Sequence, residues 1–271
     1  MEFKLQIRYW GVRGSTPTPE RRNAGYGGNT PCLEVRGPGG ELIIFDAGSG
    51  IRALGRAIDA EHEIHLFISH FHWDHIQGLP YFAPLFDPRK TIRIYTGWDA
   101  ALAREALASQ MRPPHHPIAL DAVASNWDIV ALGPRGVDIG KVSVRPFATH
   151  HPQGSFGFRI ETPGATAVYA TDREMGNREL DAVARDHASN ADLLIHDSQY
   201  LVEEYPSKEG WGHSTWAEAA AVANAAGVKN LSLFHHDPTR DDSGVDQMVA
   251  LARGLFTNTT GAREGELITI P

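Results

Sequence analysis

The sequence predicts an α/β (α+β) chain in which two β-sheets pack together with helices outside. Three observations lead there. The first part of the chain is rich in short strand-like runs separated by glycine turns, the second part alternates strand and helix patterns, and four expected strands end in His or Asp. Elements that are apolar on one side must bury that side against another layer, so this order of elements leaves few architectures. With 271 residues, 42% hydrophobic and 21% charged, the chain can build the core of one such unit over 1–271.

Taken in order, 3–10, 31–36 and 41–46 read as strands, bounded by the glycine turns at 11–14, 25–28 and 37–40. Residues 51–60 follow as a helix, and 63–69 as an apolar strand that runs into a histidine cluster. A strand at 91–95 and a helix at 98–110 come next. They lie inside a lid-like excursion, about 79–147, that also holds Tyr81, Phe82, Trp98 and Trp127. Such a stretch can stack on a base or sugar, or simply pack an extra helix and hairpin. Strands at 137–147 and 156–161 flank the loop that carries His150 and His151. A strand at 165–171 ends at Asp172, a helix spans 178–187, and a strand at 191–195 ends at His196 and Asp197. A helix at 215–226, a strand at 230–234 ending at His235, a helix at 245–254 and a strand at 267–270 complete the chain. Polar side chains at strand ends, on one rim of a sandwich, are where such folds place chemistry.

The run His70-Phe71-His72-Trp73-Asp74-His75 packs four metal-capable side chains into six residues. Side chains of an extended segment alternate between faces, so His70 and His72 can share one side. Asp74 and His75, on the turn that follows, can address a neighbouring position. One segment can therefore serve two metal ions. Imidazole with carboxylate suits zinc, with manganese or iron acceptable.

The run resembles the HxHxDH signature of the metallo-β-lactamase superfamily. Phe45-Asp46-Ala47-Gly48, Thr149-His150-His151-Pro152, Ala170-Thr171-Asp172 and Phe234-His235-His236-Asp237 resemble its other motifs in the same order, over nearly the whole chain. Within that superfamily, Gly212-His213-Ser214-Thr215 and Leu194-Ile195-His196-Asp197 resemble the tRNase Z-like phosphodiesterases, and the opening through Gly11-Val12-Arg13-Gly14-Ser15 resembles a branch described as cyclic-nucleotide-phosphodiesterase-like. The resemblance implies an αββα sandwich of two mixed sheets. It implies a first divalent ion held by His70, His72 and His151, a second by Asp74, His75 and His235, and Asp172 bridging them, with His150 the alternative to His151. It implies that Asp46 supports the metal loop, that Asp74 and Asp172 position an activated hydroxide, and that His213, oriented by Asp197, assists the leaving group. Arg13, Ser15, Asn29 and His236 are the expected substrate contacts at the pocket mouth.

The expected function is a dinuclear metal-dependent phosphodiesterase. Formal net charge is −8, against the basic footprint that duplex nucleic acid favours. Only 20 residues separate His151 from Asp172, too few for the tRNA-gripping arm of true tRNase Z enzymes. The expected substrate is therefore a small phosphodiester, first a cyclic nucleotide, with no duplex nucleic acid. The alternatives are hydrolysis of another ester (another cyclic phosphate, a sulfate ester or a lactone) or a metal-binding sensor without turnover. Cys32 is the single cysteine, the Met1-to-Gln6 opening lacks a signal-like apolar run, and no apolar stretch is long enough to span a membrane. The expectation is a cytoplasmic chain without membrane partners, and the resemblance allows a homodimer.

Overall fold

The computed structural model describes residues 4–271; Met1, Glu2 and Phe3, where the first strand was expected to begin, lie outside the described residues. In chain order the elements are β1 (Leu5–Gly11), β2 (Cys32–Arg36), β3 (Leu42–Phe45), α1 (Ile51–Ala57), β4 (Glu63–Ile68), α2 (Trp73–Ile76), β5 (Thr91–Thr96), α3 (Ala100–Gln110) and β6 (Asn126–Ala131). There follow β7 (Val137–Ile139), β8 (Val142–Thr149), β9 (Ser155–Thr162), β10 (Ala165–Ala170), α4 (Arg178–Ala188), β11 (Leu193–Asp197), α5 (Trp216–Ala226), β12 (Leu231–Phe234), α6 (Asp242–Leu255), β13 (Thr259–Gly261) and β14 (Leu267–Ile270).

The strands form two seven-stranded sheets, ordered β14-β1-β2-β3-β4-β5-β6 and β13-β12-β11-β10-β9-β8-β7. Each begins as antiparallel hairpins and continues as parallel strands. Parallel neighbours need a crossover, and helices supply it: α1 lies between β3 and β4, α3 between β5 and β6, and α4, α5 and α6 between successive strands from β10 to β13. The expected sandwich of two mixed sheets flanked by helices is borne out.

Side-chain alternation explains the layers. Ile43, Phe45 and Phe67 face inward and meet Phe158, Tyr169, Ile195 and Phe234 in the core between the sheets. Their neighbours Ile44, Leu66 and Ile68 face outward, onto Leu54 and Leu107. On the other sheet Val168, Leu194 and Leu233 face outward onto Ala184, Ala219 and Met248. Strands buried on both faces read as unbroken apolar runs, as β3 does.

Some elements differ from the expectation. The strand read at 137–147 is a hairpin, because Gly140 adopts φ +55° and turns the chain between β7 and β8. A short helix, α2, forms inside the histidine run. β6 and β13 were not read: β6 is an edge strand with none of its residues buried, and β13 is three residues long. The last strand returns to the first sheet, pairing antiparallel to β1 with Leu5 opposite Ile270.

Phe45 is fully buried, with ring centroids 5.1 Å from Phe67, 5.3 Å from Phe158 and 5.9 Å from Tyr169, so it joins both sheets. Phe45→Ala is expected to cost about 3–5 kcal/mol in urea denaturation; a cost below about 1 kcal/mol would contradict this packing.

Candidate metal centre

The ends of β3, β4, β8, β10, β11 and β12 meet at one rim, and the loops leaving them carry Asp46, the 70–75 run, His151, Asp172, Asp197 and His235. Among the described residues, six non-glycine residues have φ between 50° and 63°. Five of them, Ser15, Asp46, Gln153, Asp172 and His235, belong to this rim. Left-handed backbone at residues with a Cβ is sparsely populated, and it gathers where the surroundings impose it.

The structure brings the sequence-expected ligands together in two groups. The facing atoms of His70, His72 and His151 lie within 4.8 Å of one another, as do those of Asp74, His75, Asp172 and His235. Asp172 addresses both. Its Oδ1 is 3.7 Å from His70 Nε2 and 3.8 Å from His151 Nε2, and its Oδ2 is 3.1 Å from His75 Nε2 and 3.4 Å from His235 Nε2. Asp74 Oδ2 is 3.2 Å from His235 Nε2 and accepts the Ser15 backbone N–H at 2.7 Å. Of the adjacent pair, His151 is buried in the cluster; His150 is exposed and contributes its carbonyl to the Glu174 N–H.

Each imidazole is held by its other nitrogen. His75 Nδ1 meets Asp46 Oδ2 at 2.8 Å, His72 Nε2 meets Gln153 Oε1 at 2.9 Å, His151 Nδ1 meets the Gly212 carbonyl at 2.8 Å, and His235 Nδ1 meets Gln199 Oε1 at 2.9 Å. His70 Nδ1 lies 3.0 Å from Ser69 Oγ, which itself donates to Asp46 Oδ2. These partners accept, so the outer nitrogens donate and the inner ones turn lone pairs toward each other. His72 Nδ1 and His151 Nε2 stand 3.0 Å apart in that arrangement, and the buried Nε2 atoms of His70 and His75 have no hydrogen-bond partner among the described residues. A buried set of imidazole lone pairs and carboxylates without donors of its own fits divalent cations.

The electrostatics agree. Burial holds His70 well below the usual histidine range and His151 down at about 4, so both are neutral, the form that ligates. Burial opposes the charged form of His75 too, but the Asp172, Asp74 and Asp46 carboxylates pull it up. Burial disfavours the Asp172 and Asp74 carboxylates, yet the surrounding imidazoles hold both well below the usual range.

Beside this set, His213 Nδ1 lies 2.8 Å from Asp197 Oδ2, and its ring stacks on His235 at 4.8 Å. Burial works against its imidazolium, but Asp197 outweighs burial and lifts it to about 9. Asp197 is fixed by the N–H groups of Ser214 at 3.0 Å and Asp172 at 3.2 Å.

Three of the expected substrate contacts are held by other groups of the chain. Arg13 is fully buried: Nε donates to the Gly27 carbonyl at 2.8 Å and Nη1 to the Arg240 carbonyl at 2.6 Å, so it clamps loops and is closed off from solvent. Asn29 is engaged by Glu264 and Ser49. His236 points away, with Nε2 2.9 Å from the Ala262 carbonyl and its ring edge-on to Tyr26. Ser15 reaches the site through its backbone. Sequence reasoning missed Ser69, Gln153, Gln199 and Glu174. Glu174 accepts the Gly212 N–H at 2.8 Å and so holds the carbonyl that anchors His151. Gly212 sits at φ +89°, and a Cβ there would fall 2.2 Å from His151 Nδ1.

The profile of the family described as "Beta-lactamase superfamily domain" matches residues 42–236. Ribonuclease Z of Haloarcula marismortui is 23% identical over 312 residues, covering 93% of this chain and 92% of that protein. Among solved structures, the metallo-beta-lactamase fold protein YhfI from Bacillus subtilis superposes with a TM-score of 0.73 at 18% identity, over 98% of this chain and 99% of that one. The short form of human tRNase Z superposes with a TM-score of 0.69 at 20% identity, over 98% and 99%. The ribonuclease names correct one expectation. A small-molecule partner with nucleic acid set aside does not stand against relatives named for RNA. Net charge is a global sum, and divalent ions make a pocket locally positive whatever that sum is. Among the described residues, no helix is long and apolar enough to cross a membrane.

Gln199→Ala removes the acceptor that orients His235 and is expected to weaken divalent-metal affinity about 10–100-fold, read by competition with a chromogenic chelator. Unchanged affinity would show that the outer hydrogen bond does not matter.

Proposed function

We propose, from the premise that this chain belongs to the β-lactamase superfamily in its metal-dependent, tRNase Z-like branch, that it hydrolyses phosphodiester bonds of RNA on two divalent ions. The observation that carries the reading is Asp172, whose two oxygens address two separate imidazole groups. His70, His72 and His151 would hold one ion and Asp74, His75 and His235 the other, with Asp172 shared. The donor set accepts zinc first and manganese or iron after it. Such a pair of ions, when bound, acidifies water and draws charge from phosphoryl oxygens.

The chain's own residues do the rest. Ser15 N–H fixes Asp74 Oδ2, and the outer hydrogen bonds fix each imidazole plane before substrate arrives. His213, protonated at neutral pH and held at Nδ1 by Asp197, presents Nε2 to the leaving oxygen. Its proton passes to that oxygen as the bond to phosphorus breaks; the incoming water gives phosphorus a hydroxyl and releases its other proton to solvent, from which His213 is reprotonated. The cyclic nucleotide of the sequence-based expectation gives way to RNA because the relatives with chain-length coverage are ribonucleases by name.

Cleavage of a labelled RNA is the test. Dialysis against a chelator is expected to abolish it and zinc or manganese to restore it. His213→Ala is expected to lower kcat about 10²–10⁴-fold while metal content stays the same. Turnover that survives chelation, or a His213→Ala enzyme with unchanged kcat, would contradict the reading.

A further inference from the structure

We infer that an apolar pocket beside His72 is a binding site for one unpaired nucleobase of the RNA, next to the phosphate that is cleaved; this rests on the RNA reading above. The pocket, about 260 Å³, is lined by Phe71, Trp98, Leu102 and Gly154, together with His70, His72 and Gln153. Two of those residues, His70 and His72, belong to the imidazole group addressed by Asp172, so the pocket adjoins the same centre. A phosphodiester held at that centre has its flanking nucleotide here.

The chemistry of the walls selects the part of the nucleotide. The phosphate is an anion and the ribose is ringed with hydroxyls, whereas every base has an apolar π-face that stacks on aromatic side chains. Phe71, Trp98 and Leu102 offer such a surface. The volume lies below the roughly 300–1,000 Å³ of pockets that enclose drug-sized ligands, which suits one ring system.

The wall is also preformed. The Trp98 ring stands edge-on to Phe156 at 5.8 Å and beside Phe71 at 6.3 Å. Gly154, at φ +93°, lies close behind it: a Cβ there would sit 3.1 Å from the indole. Leu102, 47% exposed on α3, forms the rim. The other aromatics of the 79–147 excursion are engaged elsewhere, Tyr81 edge-on to His116 and Trp127 beneath the Arg104 guanidinium. A base can enter only when it is out of a duplex, because only unstacked bases lend their faces to side chains.

The test compares two RNAs that differ in one group: the nucleotide beside the cleaved bond carries its base or is abasic. The wild-type holoenzyme is expected to prefer the base-bearing RNA about tenfold in kcat/KM, and Trp98→Ala to bring the ratio near one. Leu102→Glu, a surface change that folding tolerates, is expected to shrink the ratio as well; its added charge acts on both RNAs alike and cancels. Equal cleavage of the two RNAs by wild type, or an undiminished ratio in both variants, overturns the base site and leaves the RNA reading standing. Failure to cut either RNA, with bis(p-nitrophenyl) phosphate still hydrolysed, overturns the RNA reading and the base site together.

Discussion

The structure turns on a cluster of histidine nitrogens and carboxylate oxygens that face one another in a buried space. His72, His75, His151 and His235 each give the outer N–H to an oxygen acceptor, and His70 gives its own to the Ser69 hydroxyl. The inner nitrogens then converge on Asp172 and Asp74 in a buried space. Such an arrangement is repulsive unless positive charge enters it. The strand ends gather there, and the left-handed backbone at Asp46, Asp172 and His235 is the local distortion that turns each side chain inward.

The scaffold makes that distortion tolerable. Asp46 accepts from Ser69 at both its backbone and its hydroxyl, from Tyr169 and from His75, so one carboxylate joins β3, β4 and β10 at the point where they meet the cluster. Below it, Phe45 packs against rings of both sheets. Packing and site are therefore consecutive residues: Phe45, the last of β3, faces the core, and Asp46, just beyond the strand, turns up to the rim.

Much of this was legible in the sequence because it is local. Apolar runs that end in His or Asp mark strands leading to a rim, and the spacing of the 70–75 run follows from strand alternation passing into a turn. What stayed hidden depends on distant contacts. Gln153 and Gln199 are ordinary polar residues until the fold sets them 2.9 Å from His72 and His235. Arg13 and His236 read as substrate contacts, yet Arg13 bonds the Gly27 and Arg240 carbonyls and His236 the Ala262 carbonyl, roles no spacing signals. β6 lies at a sheet edge with one face wet, so its polar start at Asn126 and Asp128 hides the strand. The expectation that set nucleic acid aside leaned on net charge, which averages over the whole surface, whereas the charge a phosphate meets is set by a few groups near it.

The same centre ties the two functional readings together, since His213 packs against His151 and the pocket of Trp98 is lined by His70 and His72. The most direct test of the account is the metal content of the purified, metal-saturated chain by elemental mass spectrometry. Two equivalents per chain are predicted, one for each face of Asp172. One equivalent at saturation, or none, would contradict it.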